Sequence, residues 1–283
     1  MAEVSKAVLI TGCSSGIGWA TAERLKERGW TVYASARRPD AIAELEGRGC
    51  RTLALDVTDE ESMQAAVRAV EEREGAVGVL VNNAGYSQSG AVETVPLDEV
   101  RRQFETNVFG LVRMCQLALP GMRRQGWGRI VNVSSMGGRL TFPGGGFYHA
   151  TKHAVEAISD ALRFEVAGFG VGVAIIEPGL ITTSFGDVAA GTVGQSGADD
   201  SPYTAFNSAV AKGTREAYDG PLVRLGGGPE TVARTIEKAI SSRRPRTRYK
   251  VTPSARLALG ARRLLPDRAW DLAMRGQFPR PRA

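Results

Sequence analysis

Short apolar runs rich in Val, Ile and Leu recur along this chain: KAVLIT at 6–11, TVYASA at 31–36, RTLALD at 51–56, VGVLVN at 77–82, RIVNVS at 129–134 and VGVAIIE at 171–177. These runs are apolar at successive positions instead of alternating with polar residues, so both faces of each strand must be covered. Stretches with helical spacing lie between them, as at 17–29 and 59–74. Strand and helix in alternation predict an α/β protein, a doubly wound parallel sheet with right-handed crossovers and at least six strands. Ligands of such sheets sit at the carboxyl ends of the strands, near the switch in strand order. The residues just after each strand therefore carry the function.

Bulk properties narrow the class. The 283 residues are 43% apolar and 23% charged, ordinary globular values. They suit a single domain over 1–283, with a core at about 4–253 and an extension at 254–283. A Gly/Ser/Asp-rich excursion at about 184–228 is expected to lie mobile over the site. No apolar run reaches the roughly 18–20 residues of a membrane span. The N-terminal apolar run reads as a buried strand, with no cleavage pattern after it. Cys13, Cys50 and Cys115 are widely spaced with no C-x-x-C, which disfavours a disulfide framework and fits a reducing cytoplasm. His149 and His153 share a helical face but lack a carboxylate in metal-motif spacing, so no metal site is expected.

The formal charge of +6 is unevenly distributed. Residues 243–283 hold 12 Lys/Arg against 2 Asp/Glu, and the rest holds 24 against 28. The body is thus mildly acidic and no nucleic-acid partner is expected of it. The tail is the basic part, and a membrane surface is the one alternative partner it suggests. Its prolines at 245, 253, 266, 279 and 281 forbid one long basic helix.

TGCSSGIG comes after the first run, and its Gly12, Gly16 and Gly18 open a helix. Such a loop lets backbone approach a pyrophosphate, and the helix N-terminus offers N–H groups to the anion. The pattern is that of a Rossmann-type sheet, although the spacing is G-x-x-x-G-x-G. Ala36-Arg37-Arg38 ends the second run, where an acidic residue would bind the ribose 2′-hydroxyl of NAD. An arginine there suits a 2′-phosphate, through Arg37 with Arg38 able to share it, so NADP(H) is the preferred cofactor and NAD(H) the alternative. Asp56-Val57 comes after the third run and Asn82-Asn83-Ala84-Gly85 after the fourth.

Tyr148 and Lys152 stand at i and i+4 in a stretch free of Pro and Gly, so a helix puts them on one face. A free tyrosine has a pKa of about 10. A cation beside it is expected to pull that value toward the working range and make it an acid/base.

TGCSSGIG, NNAG, the Ser-Ser pair with Tyr148 thirteen residues after Ser135, Y-x-x-x-K and PGLITT resemble, in order over about 6–185, the short-chain dehydrogenase/reductase family. Arg37 and the segment RYKVTPSAR…RRLLPDR are similar to its hydroxysteroid and retinol dehydrogenase branch. The resemblance implies that Tyr148 exchanges a proton with an alcohol or carbonyl and that Lys152 lowers its pKa and bonds the nicotinamide ribose. It implies that Ser135, with Ser134 as the alternative, polarises the substrate oxygen and that Asn107 positions a helix and a water. It assigns the cofactor to Gly12, Ser14, Ser15, Gly16, Ile17, Gly18, Arg37, Arg38, Asp56, Val57, Asn83, Ala84, Gly85, Tyr148, Lys152, Pro178, Gly179, Ile181 and Thr183. It further implies an NADP-dependent oxidoreductase for an alcohol/ketone pair and a homo-oligomer joined through helices at about 97–124 and 149–168. Phe185, Tyr203, Phe206, Leu222 and Trp270 suggest a hydrophobic small-molecule substrate. The tail is expected to fold back over the subunit or its neighbour and help wall that substrate pocket. A dinucleotide-binding sensor without catalysis is the second reading.

Overall fold

The computed structural model describes residues 4–193 and 201–281, so 194–200 of the excursion lie outside the described residues. Seven parallel strands form one sheet: β1 Val8–Ile10, β2 Val32–Ala36, β3 Arg51–Ala54, β4 Val79–Asn82, β5 Gly128–Val133, β6 Val171–Glu177 and β7 Arg248–Lys250. Their order is β3-β2-β1-β4-β5-β6-β7, with the switch between β1 and β4. Register pairs Val8 with Val32 on one side and with Val79 on the other.

Helices connect the strands: α1 Gly16–Glu27, α2 Ala43–Gly47, α3 Glu60–Glu74, α4 Leu97–Phe104, α5 Gly110–Gln125, α6 Gly146–Val166, α7 Phe185–Val193, α8 Thr204–Asp219, α9 Pro229–Ser241, α10 Pro253–Leu264 and α11 Asp267–Arg275. Successive strand residues divide between the two faces. Val8, Ile10, Val79 and Val81 join the core on the α1 and α9 side, while Leu9 and Leu80 join the core with Met63, Met114 and Val155 of α3, α5 and α6. Both faces are dry, which is why the strand sequences do not alternate.

The structure adds detail to three expectations. The sheet has a seventh strand, β7, in which only Tyr249 is buried. The excursion carries helices α7 and α8 and a 3₁₀ turn at Pro221–Leu225. The helix expected over 97–124 is interrupted by a π-turn, Glu105–Phe109, between α4 and α5. Single π-turns insert one residue and re-aim side chains, and are frequent at functional sites.

Candidate active site

A cleft of about 750 Å³ opens at the carboxyl ends of the strands, beside the switch point. Gly12, Ser14, Ser15, Gly16 and Ile17 form one wall. Gly12 has φ +73, and a Cβ there would stand 2.8 Å from the Ala84 Cα. Gly18 lies beneath the loop and does not line the cleft; a Cβ on it would stand 2.3 Å from the Gly12 carbonyl oxygen. Asn83 ties the loop down by donating from Nδ2 to the Thr11 and Gly12 carbonyls at 3.0 and 2.9 Å. The α1 N-terminus has no side-chain cap, so its N–H groups are available to an anion. A backbone cradle that a side chain would block, opening on a helix N-terminus, fits the pyrophosphate of a dinucleotide.

Arg37 lines the cleft at the end of β2, together with Asp56, Val57, Asn83, Ala84 and Gly85. Arg38 is exposed and lies outside it. Thr58, Tyr86, Gln88 and Arg102 also line it and carried no motif in the sequence. Tyr86 comes directly after N-N-A-G and could have been found by extending that stretch. Arg102 arrives on α4, paired with Glu99 at 2.7 Å.

Ser135, Tyr148 and Lys152 meet at the other end of the cleft. Ser135 caps a short 3₁₀ turn and accepts from the Gly137 N–H at 3.0 Å. Tyr148, on the first turn of α6, shares this end of the cleft with Ser135, whose hydroxyl lowers the Tyr148 pKa. Burial around the phenol hydroxyl outweighs that influence and raises the pKa above the ordinary value, although the ring keeps one side open to the cleft. The expected pull from Lys152 is not what acts here. The Lys152 Nζ lies 5.9 Å from the Tyr148 ring centroid and donates to the Val133 carbonyl at 2.8 Å. Burial lowers the Lys152 pKa to about 8, against a smaller upward pull from Glu156. Ser134 also lines the cleft, but its buried hydroxyl has no hydrogen-bond partner among the described residues.

Asn107 sits in the π-turn, not in the cleft wall. It donates from Nδ2 to the Tyr86 carbonyl at 2.9 Å and to Thr151 at 3.1 Å, and its Oδ1 accepts from the Tyr86 N–H at 3.1 Å. The extra residue of the π-turn thus aims an amide at the strand end beside Lys152. His149 donates from Nδ1 to the Gly137 carbonyl at 3.1 Å, and burial lowers its pKa to about 4, so the ring is neutral. Neither histidine faces a metal-type cluster among the described residues. Pro178, Gly179, Ile181 and Thr183 complete the wall, with Phe185 5.5 Å from the Tyr148 ring.

No described residue of the tail lines this cleft within its own subunit. Trp270 and Phe206 line a second cavity, and the Tyr203 hydroxyl donates to Glu93 at 2.6 Å.

A parallel sheet with a glycine cradle and a Ser–Tyr–Lys group defines a dinucleotide-binding oxidoreductase. Residues 6–190 match the family model described as short chain dehydrogenase, and the chain belongs to the short-chain dehydrogenase/reductase family. It is 36% identical over 279 residues to a 3-ketodihydrosphingosine reductase of Bacteroides thetaiotaomicron, covering 95% of this chain and 96% of the relative. It is 36% identical to an NADPH-dependent 3-dehydrocapnine reductase of Ornithobacterium rhinotracheale (93% and 94% covered) and 35% identical to retinol dehydrogenase 16 of Rattus norvegicus (98% and 90%). Among solved structures, a short-chain dehydrogenase from Streptomyces avermitilis superposes with TM-score 0.78 at 35% identity, covering 96% of this chain and 98% of that one. A family member from Burkholderia phymatum in complex with NAD also reaches 0.78, at 26% identity with 100% and 99% covered.

Proposed function

We propose that the chain is an NADP-dependent oxidoreductase interconverting an alcohol and a carbonyl on a hydrophobic small molecule, with Tyr148 as general acid/base. The observation that carries this reading is the convergence of Ser135, Tyr148 and Lys152 on the same cleft as the glycine cradle. Gly12, Ser14, Ser15, Gly16 and Ile17 hold the pyrophosphate, and Arg37 holds the 2′-phosphate. Asp56, Val57, Asn83, Ala84 and Gly85 flank the adenosine side, and Pro178, Gly179, Ile181 and Thr183 the nicotinamide side. Bound NADPH supplies the hydride for reduction.

The protein supplies the rest. Burial keeps Tyr148 protonated at neutral pH, so it stands ready as the acid for carbonyl reduction. Ser135 donates to the substrate oxygen while negative charge builds on it, and Tyr148 then gives that oxygen its proton. Lys152, held on the Val133 carbonyl at the cleft wall, is placed to hydrogen-bond the nicotinamide ribose. Asn107 acts by fixing the Tyr86 backbone and Thr151, a positioning role. In the oxidative direction Tyr148 must first lose its proton against burial, so that direction gains with rising pH.

Phe185 and Val188 give the substrate end an apolar wall, in keeping with a hydrophobic substrate of the hydroxysteroid or retinol class. Phe164 on α6 is 88% exposed and Phe109 is 55% exposed, which supports a homo-oligomer formed through the α4–α6 face. Three unpaired buried cysteines suit a reducing cytoplasm, and no described helix is long and apolar enough to cross a membrane. The test is a panel of apolar alcohols and ketones followed by NADPH absorbance. Turnover on one pair supports the reading, and NADP(H) binding with no turnover on any would favour a sensor.

A further inference from the structure

A second cavity of about 560 Å³ lies between the loop 139–143 and the α11 end of the chain. It shares no lining residue with the cofactor cleft, and its size falls within the roughly 300–1,000 Å³ of small-molecule sites. Its walls are apolar and held in place. The Trp270 indole donates from Nε1 to the Thr141 carbonyl at 3.2 Å and packs on Phe142 at 5.9 Å between ring centroids. Phe206 of α8 meets Phe278 at 6.5 Å.

The charges around these walls are of one sign. Arg139, Arg262, Arg275 and Arg280 line the cavity, against Asp271 alone. Arg262 is committed: it pairs with Asp267 at 2.6 Å and stacks over Trp270 at 5.7 Å. Arg139 has only a distant partner, Glu177 at 3.7 Å. Arg275 and Arg280 have no ion pair among the described residues. A strap that served only to close the fold would match these cations to the acidic body. Here an aromatic trough ends in unmatched guanidinium groups, whose planar fork suits a carboxylate or phosphate.

We propose that this cavity binds an amphipathic anion, a single apolar chain with a carboxylate- or phosphate-type head. The chain lies against Trp270, Phe206 and Phe278, and the head pairs with Arg275 and Arg280. The site is independent of the proposed catalysis and does not rest on it.

The test is calorimetric titration of the full-length, NADP-saturated protein with dodecyl phosphate below its micelle concentration. Dodecyltrimethylammonium, dodecanol and inorganic phosphate are the comparison probes. One dodecyl phosphate should bind per chain. The comparison probes, and dodecyl phosphate on an Arg275→Ala/Arg280→Ala double variant, should bind at least about tenfold more weakly, the scale of one charge-assisted hydrogen bond. Trp270→Leu should weaken the binding too, and the double variant should keep the wild-type Tm and NADP(H) affinity. Equal binding of the cationic and anionic chains, binding unaltered in the double variant, or mutual exclusion with NADP(H) would each overturn the proposal.

Discussion

The Lys152 Nζ donates to the carbonyl oxygen of Val133 at 2.8 Å, so the cation of α6 is tied to the last residue of β5 and stands away from the Tyr148 ring. Its pKa falls from 10.5 to about 8 because burial penalises the charged form. Between those two values the unfolded chain binds more protons than the folded one, so stability rises with pH there. Lys152→Met removes this dependence. Chemical denaturation without cofactor should show wild type gaining about 2–3 kcal/mol on the variant from pH ~8 to ~10.5. A pH-independent difference would show that Lys152 is not buried as described.

The glycine cradle makes a contrast with a helix glycine. Gly12→Ala places a Cβ 2.8 Å from the Ala84 Cα at φ +73. The left-handed backbone alone costs roughly 1–2 kcal/mol, and the backbone clash adds to it. Gly213→Ala, in α8 with nothing within 4 Å of the new Cβ, should stabilise by about 0.5–1 kcal/mol. Thermal unfolding separates the two, with the first also losing NADP(H) affinity.

Arg248 holds a buried acidic group together. It donates to Glu156 at 2.8 Å and to Asp160 at 2.6 Å, and lies 3.6 Å from Glu177, which is fully buried with neither oxygen hydrogen-bonded among the described residues. Arg248→Met should cost about 2–4 kcal/mol, somewhat less than a fully buried pair because Arg248 keeps some solvent contact. Burial raises the Glu177 pKa, so its contribution is full below the ordinary carboxylate value and is lost as pH rises through the folded value. Without Arg248 that loss deepens. The penalty measured by urea denaturation should therefore be larger near neutral pH than in mild acid, and the opposite trend would contradict this account.

Cofactor choice should follow Arg37, which lines the cleft at the end of β2. Wild type is expected to bind NADP(H) more tightly than NAD(H), and Arg37→Ala to narrow the gap by about 1.5–3 kcal/mol, the scale of a charged hydrogen bond. Equal wild-type affinities would remove the basis for the preference. Arg38→Ala, outside the cleft, should change little.

Much of the sheet was legible because β1, β2, β4, β5 and β6 are buried on both faces and their residues record it. β7 was not: it is three residues long with Tyr249 alone buried, and it pairs only with Ile175–Glu177 at the sheet edge. The glycine cradle and the Tyr148–Lys152 spacing are local and could be read directly. Lys152's partner could not, since a backbone carbonyl leaves no mark in sequence and burial depends on the whole fold. Arg102 and Tyr218 reach the cleft on helices whose approach is set by tertiary packing. Trp270 was expected at the substrate pocket, but its indole bonds Thr141, 129 residues earlier in the chain, and so faces the second cavity.

The most direct measurement is NADPH-dependent turnover of Tyr148→Phe on a substrate found for wild type, with NADP(H) affinity measured alongside. The ring still packs on Phe185 and only the hydroxyl is lost. A fall in kcat of about 10²–10⁴-fold is expected, the range of general acid–base catalysis, with the NADP(H) Kd within about twofold of wild type. A variant that keeps more than a few per cent of the wild-type rate would contradict the assignment of Tyr148 as the acid/base.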